Sequence, residues 1–272
     1  MTEIDTGTDD LLARVEDGVA VLTMNRPARR NAMSGAMTSA LADVLSRVEV
    51  ADDVGCVVLT GAGGAFCAGG DVKGMSEGGG GGARRTIDEA VHLQRLNQRA
   101  TSGRLHEMPK PTIASLPGAA AGAGLSLALA CDLRYAARSA VMTTAFARVG
   151  FAGDYGGTWF LSRLVGPARA RELYYLSERI DAAEAERLGM VNAVFPDDRL
   201  EDEVMARARR LAAGPRIAYR YMKENLNRAA LGELGECLDM EAAHHIRTGL
   251  TEDHREAVAA FVDKREPVFR GR

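Results

Sequence analysis

The sequence predicts an α/β fold whose last third is helical. Two observations carry that reading. Up to about residue 150, short apolar runs of strand length alternate with longer stretches of helical period. From Thr158 onward, helical patterns follow one another with a single strand-like break at 190–195. A third observation says where function should be sought. The 30 glycines are clustered, at 61–64, 69–70, 78–82, 118–124 and 153–157. Clustered glycine marks places where the backbone turns tightly or approaches something closely.

The elements follow in chain order. Residues 19–24 (VAVLTM) form a buried strand stopped by Asn25-Arg26-Pro27, because proline cannot continue a ladder and holds its predecessor extended. Ser34 is placed to cap a helix over about 35–48, with Met37, Leu41, Val44, Leu45 and Val48 on one face. Residues 56–60 (CVVLT) make a second buried strand, bounded by Gly61. The glycine run at 78–82 reads as a mobile loop. A helix is expected over 86–107, ending before Pro109 and Pro111. A third strand follows at 112–116. Small residues at near-helical spacing over 122–131 predict a helix pressed against neighbouring backbone. Short strands are expected at 132–137 and 140–144. Helices are then expected at 158–165, 168–177, 182–188, 200–213 and 215–230, and through the tail from 231 to 262.

Composition excludes several classes of function. A chain with 46% hydrophobic and 26% charged residues is neither disordered nor membrane-embedded. Its most apolar run, 118–131, is too short to span a bilayer. A net charge of −3 lends no support to a nucleic-acid partner. The opening MTEIDTGTDD is acidic, unlike a secretory or transit leader, which predicts a cytoplasmic protein. Cysteines 56, 67, 131 and 237 form no CxxC pair and no zinc spacing, so reduced, mostly buried thiols are expected. The five histidines make no metal-ligating pair, and no metal is expected. No GxxxxGK[ST] occurs, and no GxGxxG opens a helix. There is no GxSxG elbow either, and the Ser126 hydroxyl is expected to satisfy itself locally.

Two features survive these exclusions. Ala65-Phe-Cys-Ala-Gly-Gly-Asp-Val-Lys73 and the stretch 118–124 each read as a strand, a glycine turn and a helix start. Side by side, two such turns could aim two backbone N–H groups at one point, the arrangement that binds a developing oxyanion.

Those two strings also carry a resemblance. With Met24-Asn-Arg-Pro27, Asn31-Ala32, Val57-Val-Leu-Thr-Gly61, Lys110-Pro111, Gly156-Gly-Thr158, Leu164-Val-Gly166, IDAAEAERLGMVNAVFP at 180–196 and Phe261-Val-Asp-Lys-Arg265, they resemble the crotonase superfamily, the enoyl-CoA hydratases and isomerases. The match runs in order through about 12–270. It implies a spiral of ββα units over 1–200 and a helical C-terminal region over 201–272 that builds homotrimers, alone or paired into hexamers. It implies acyl-CoA thioester substrates, with coenzyme A as part of the substrate and no other cofactor. The thioester carbonyl would sit between the N–H groups of Gly70 and Ala123. Coenzyme A would be gripped near Ala28, Arg30, Ala32, Ala68, Gly70, Asp71 and Val72, and by the last helix near Phe261 and Lys264. Arg26, Arg29, Arg30, Arg84 and Arg85 supply positive charge locally for a polyanion.

The chain departs from the hydratase pattern in one respect. The two glutamates that flank a water in hydratases fall here on Ser126 and Phe146. Asp154, in GFAGDYGGTWF at 150–160, instead resembles the aspartate of phenylacetate ring-epoxide isomerases and Δ3–Δ2 enoyl-CoA isomerases, which implies a lone acid/base. The residues leave alternatives open. Asp154 could simply cap the helix that follows. Tyr155 could be a pocket wall or a second proton donor. The chain could be a hydratase using Asp154 with Tyr155 or another donor, or an acyl-CoA-binding protein without catalysis.

Overall fold

A computed structural model describes residues 1–71 and 86–272. Val72, the glycine run 78–82, Arg84 and Arg85 lie outside the described residues.

Two sheets organise the chain. The larger has seven strands in the order β1 (Thr2–Ile4), β2 (Leu11–Glu16), β3 (Val19–Met24), β4 (Cys56–Gly61), β6 (Thr112–Leu116), β8 (Leu133–Ala137) and β11 (Ala193–Phe195). The smaller runs β10 (Ile180–Asp181), β9 (Val141–Thr143), β7 (Ala119–Ala121) and β5 (Ala65–Cys67). From β3 to β11 the large sheet is parallel. Parallel strands are covered on both faces, and so β3 and β4 read as unbroken apolar runs.

The chain alternates between the sheets. β4, β6 and β8 each join the large sheet, and the strands that follow them, β5, β7 and β9, join the small one. Helices close each turn: α2 (Ile87–Gln98), α4 (Ala123–Ala130) and α5 (Gly157–Val165). This is the expected spiral of ββα units. Helix α1 (Gly35–Val50) precedes them, with Ser34 Oγ accepting from Met37 N–H at its cap as predicted. The α6 (Pro167–Leu176), α7 (Ala182–Arg187) and α8 (Leu200–Ala212) helices follow, and α8 lies across β3, β4, β6, β8 and β11.

The expected helix over 86–107 is one continuous rod with a change of pitch. A capping box joins Thr86 to Glu89. A π-helical turn at Arg99–Gly103 then separates α2 from the short α3 (Arg104–Glu107). Strands β1, β2 and β10 were not expected. β2 and β3 form a hairpin across Asp17-Gly18, both with positive φ (50° and 76°).

The tail is helical: α9 (Arg216–Ala229), α10 (Leu234–Gly249) and α11 (Glu252–Asp263). Lys223 fastens it to the spiral. Its buried Nζ donates to Leu105 O (3.0 Å), Lys110 O (3.2 Å) and Asp132 Oδ2 (2.8 Å). Cys56, Cys67 and Cys131 are buried, and all four thiols are free. Among the described residues no helix is long and apolar enough to cross a membrane.

Candidate active site

The site begins where β5 and β7 run side by side in parallel, with Ala65 opposite Ala119 and Cys67 opposite Ala120. Each strand ends in a glycine turn, and the two turns touch. A Cβ on Gly69 would lie 2.8 Å from Ala121 O and 3.4 Å from Ala123 N. A Cβ on Gly124 would lie 2.5 Å from Cys67 O. No side chain fits between these backbones, which is why both strings need small residues. Gly122 reaches Ala123 through φ 52°, ψ −126°, a conformation open to glycine. Ala123 is then the first residue of α4, so its N–H has no carbonyl of its own helix to bond and sits at the positive end of the helix dipole.

The loop 26–33 braces the first turn. Asn31 is fully buried, and its Nδ2 donates to Ala62 O, Ala65 O and Phe66 O while Oδ1 accepts from Arg26 N. Ala68 N donates to Arg30 O (2.9 Å), and Met33 N to Gly69 O (2.8 Å). The Cys67 thiol donates to Asn31 O (3.0 Å). The loop holding Ala28, Arg30 and Ala32 is thereby stitched to the turn holding Ala68 and Gly70. Arg26 spends its charge internally, on Asp71 (3.0 Å) and Asp10 (3.6 Å).

Asp154 comes from a separate segment, the bends before α5. The backbone before α5 is a series of tight bends, with positive φ at Ala145 (59°), Gly150 (72°), Gly153 (115°), Tyr155 (48°) and Gly156 (74°). Gln98 on α2 fixes the turn by accepting from Tyr155 N (2.5 Å). Asp154 is not the side-chain cap of α5. Gly156 holds that position without a side-chain bond, and Asp154 contributes only its backbone carbonyl, to Gly157 N (3.0 Å). Its Oδ1 is buried and has no hydrogen-bond partner among the described residues. Burial pushes the carboxyl up to about 6.

These groups enclose one cavity of about 530 Å³. Ala68, Gly69, Gly70 and Ala123 line it together with Phe146, Val149, Phe151, Gly153 and Asp154. Gln94 reaches in from α2. The surface is mostly apolar with a few convergent polar groups, the usual character of a small-molecule site. Asp154 is the only carboxylate among the described residues lining it.

Other expected site residues fall elsewhere. Tyr155 is not among the described residues that line the cavity. Its φ is positive (48°), the residue is 6% exposed, and its phenol faces Thr38 and Gln94. The phenol thus stands next to Gln94, which does line the cavity. Phe261 and Lys264 lie at the end of α11, away from the cavity lining, and Phe261 is 85% exposed. Ser126 bonds locally, donating to Gly122 O (3.2 Å), and Phe146 stands in the wall. Three residues were missed: Gln94, Gln98 and Tyr174. Gln94 and Gln98 stand four apart on α2, a spacing that puts both on one helix face. Tyr174 on α6 stacks on Phe146 (centroids 5.8 Å apart, planes 10° apart) and meets the Ser126 hydroxyl.

Comparisons with known proteins agree with this architecture. The family profile described as enoyl-CoA hydratase/isomerase matches residues 14–272. The chain is 39% identical over 262 residues to the 1,2-epoxyphenylacetyl-CoA isomerase of Escherichia coli (strain K12), covering 96% of this chain and 98% of that one. It is 36% identical to the human protein named enoyl-CoA hydratase domain-containing protein 2, mitochondrial, covering 96% and 88%. The crystal structure of an enoyl-CoA hydratase from Bacillus anthracis superposes with a TM-score of 0.89 at 32% identity, over 97% of this chain and all of that one (100%). The adjoining glycine turns, the ββα spiral and the near full-length matches lead to one conclusion: this chain belongs to the enoyl-CoA hydratase/isomerase family, the crotonase superfamily, and is an enzyme of isomerase/hydratase type.

Proposed function

We propose that this enzyme isomerises an unsaturated acyl-CoA thioester through an enolate, with Asp154 as its lone acid/base. One observation carries the reading. Among the described residues, the cavity pairs the Gly70 and Ala123 turn with a single carboxylate, while positions 126 and 146 offer a serine and a phenylalanine.

The thioester carbonyl oxygen would accept from the N–H groups of Gly70 and Ala123. Asp154 would take a proton from the carbon next to the carbonyl, and the electron pair of that C–H bond would flow into the enolate held by the two donors. In a 3-enoyl thioester the enolate is conjugated with the double bond. Returning the proton to the far carbon forms a new C–H bond there and moves the double bond to the 2 position. A carboxyl that titrates at about 6 suits both steps, since it both accepts and gives a proton near neutral pH. The proton comes back to the substrate, and the reaction needs no cofactor beyond the coenzyme A that the substrate carries. The similar E. coli protein is itself named an isomerase. Three buried thiols and a fourth free one suit the reducing cytoplasm. The apolar residues left exposed on α9, α10 and α11 suit a homotrimer, or two of them paired.

The test is incubation with a panel of 2- and 3-enoyl-CoA thioesters in heavy water, with deuterium content and double-bond position read by mass spectrometry. A shifted double bond is expected, with deuterium entering wherever the Asp154 carboxyl exchanges its proton with solvent before returning it. Hydrated product alone, or no movement of the double bond in any thioester that binds, would overturn the reading.

A further inference from the structure

The buried Oδ1 of Asp154 finds no hydrogen-bond partner among the described residues. No bond to that atom aims the carboxyl, so its direction is set by the backbone that carries it. The peptide unit between Asp154 and Tyr155 is held at both ends. Its N–H, on Tyr155, donates to Gln98 Oε1 (2.5 Å). Its carbonyl, on Asp154, accepts from Gly157 N (3.0 Å). A peptide unit is planar, so two bonds on opposite edges fix the plane, and with it ψ of Asp154 and φ of Tyr155.

That plane has a reason to turn. Tyr155 sits at φ 48°, a region that residues other than glycine seldom occupy. Flipping the peptide would carry Tyr155 to negative φ at the expense of both bonds. Gly153 (φ 115°) and Gly156 (φ 74°) flank the pair and add no stiffness of their own. The partner that resists the flip is itself firm. Gln98 ends α2, and its carbonyl accepts from Ser102 Oγ (3.1 Å), while that of Asn97 accepts from Thr101 Oγ1 (2.7 Å). Thr101 and Ser102 are buried in the π-helical turn that follows. Only a side chain with an acceptor oxygen at that reach can take the Tyr155 N–H; glutamate shares the property with glutamine, and leucine lacks it.

We propose that Gln98 is a positioning residue for the reaction: its carboxamide oxygen clamps the Asp154–Tyr155 peptide and so holds the Asp154 carboxyl at the substrate carbon. The inference rests on the reading of Asp154 as acid/base given above. Gln98 is not among the described residues that line the cavity, so it acts through Asp154 and not on the substrate.

The test uses the full-length protein with a 3-enoyl-CoA thioester at pH 8, with movement of the double bond followed by mass spectrometry. Wild type, Gln98→Leu, Gln98→Ala, Gln98→Glu, Asp154→Asn and the double variant Asp154→Asn with Gln98→Leu are compared, each checked for circular dichroism and melting temperature. Gln98→Leu and Gln98→Ala should lower kcat by about 10²-fold, the scale of a displacement of about 1 Å at a reacting group. KM and the affinity for a saturated acyl-CoA should not change, because the Gly70 and Ala123 turn is untouched. Gln98→Glu keeps an acceptor oxygen and should return most of the turnover. In the double variant, Gln98→Leu should cost nothing beyond Asp154→Asn, since the group it positions is already gone. Folded Leu and Ala variants with wild-type kcat would overturn the proposal. So would KM rising in step with the loss of kcat, a Gln98→Glu protein as slow as Gln98→Leu, or a full further loss in the double variant. Leu and Ala variants that both fail to fold would assign Gln98 to the fold alone and overturn it as well. The acid/base reading is scored separately: normal turnover in Asp154→Asn would sink it, whereas low turnover there beside normal turnover in Gln98→Leu would sink only the role of Gln98.

Discussion

A buried carboxyl oxygen with no donor costs stability, and Asp154 holds one beside a cavity. Capping does not explain it, since Gly156 occupies the cap of α5. The cost has a definite sign. Burial raises the folded carboxyl from 3.8 to about 6, so the folded protein binds the proton more tightly than the unfolded chain. Between those two values stability falls as pH rises, and the whole penalty is present above about 6. Asp154→Asn should therefore raise the melting temperature at pH 7.5 and leave it nearly unchanged below pH 4, read by calorimetry at both values. The same change removes the base. Turnover should drop by roughly 10²–10⁴-fold, the usual range for a general base, while coenzyme A thioester binding persists. In the native enzyme kcat/KM should fall as pH drops through about 6, because the base must be ionised to accept a proton. An Asp154→Asn protein with normal turnover would remove Asp154 from the mechanism.

At the scale of elements, two abutting glycine turns do the positioning, and their glycines serve different ends. Gly70 is exposed and lines the cavity, so a branched side chain there should crowd the space the ligand takes. Gly70→Val should cost about 10²–10³-fold in turnover, the price of one oxyanion donor, with little change in melting temperature. Gly124 faces inward, and a Cβ there would stand 2.5 Å from Cys67 O and 2.7 Å from its sulfur. Gly124→Ala should push β5 and α4 apart and lower the melting temperature. Equal stability losses in the two variants would contradict this division. Much of this was legible in the sequence. The turns announce themselves as glycine clusters, and β3 and β4 as continuous apolar runs, because parallel strands are covered on both faces. The β2 hairpin was signalled by Asp17-Gly18 but hidden among acidic residues, and two-residue β10 has no pattern of its own. The burial of Tyr155 was not legible, because the positive φ at that position has no periodicity to announce it. Gln94 and Tyr174 reach the site from distant elements, and only the packing of α2 and α6 brings them there.

For the whole molecule the open question is what covers the tail. Lys223 is held by two core carbonyls and Asp132, so α9 belongs firmly to the spiral. Beyond it the anchoring thins. Asp253 on α11 accepts from Arg270 N (2.7 Å) and Gly271 N (2.9 Å), which folds the last residues back onto their own helix, with Gly271 against Arg216 of α9. Leu231, Leu234, Leu238, Ile246, Leu250, Phe261 and Val262 are each more than half exposed. Single soluble chains rarely leave contiguous apolar patches of more than about a few hundred Å², so a second copy is the natural cover. The location of Phe261 and Lys264 fits the same view, since in one chain they stand clear of the cavity lining. The full chain should sediment as a trimer or a pair of trimers. A chain lacking residues 231–272 should give monomer or aggregate, because it loses α10 and α11 while α9 stays pinned through Lys223. Sedimentation velocity at several concentrations separates these outcomes. A truncated chain that still sediments as a discrete trimer would place the assembly surface on the ββα spiral, with α2 the first element to examine, since Ile87, Val91 and Leu96 are exposed on it.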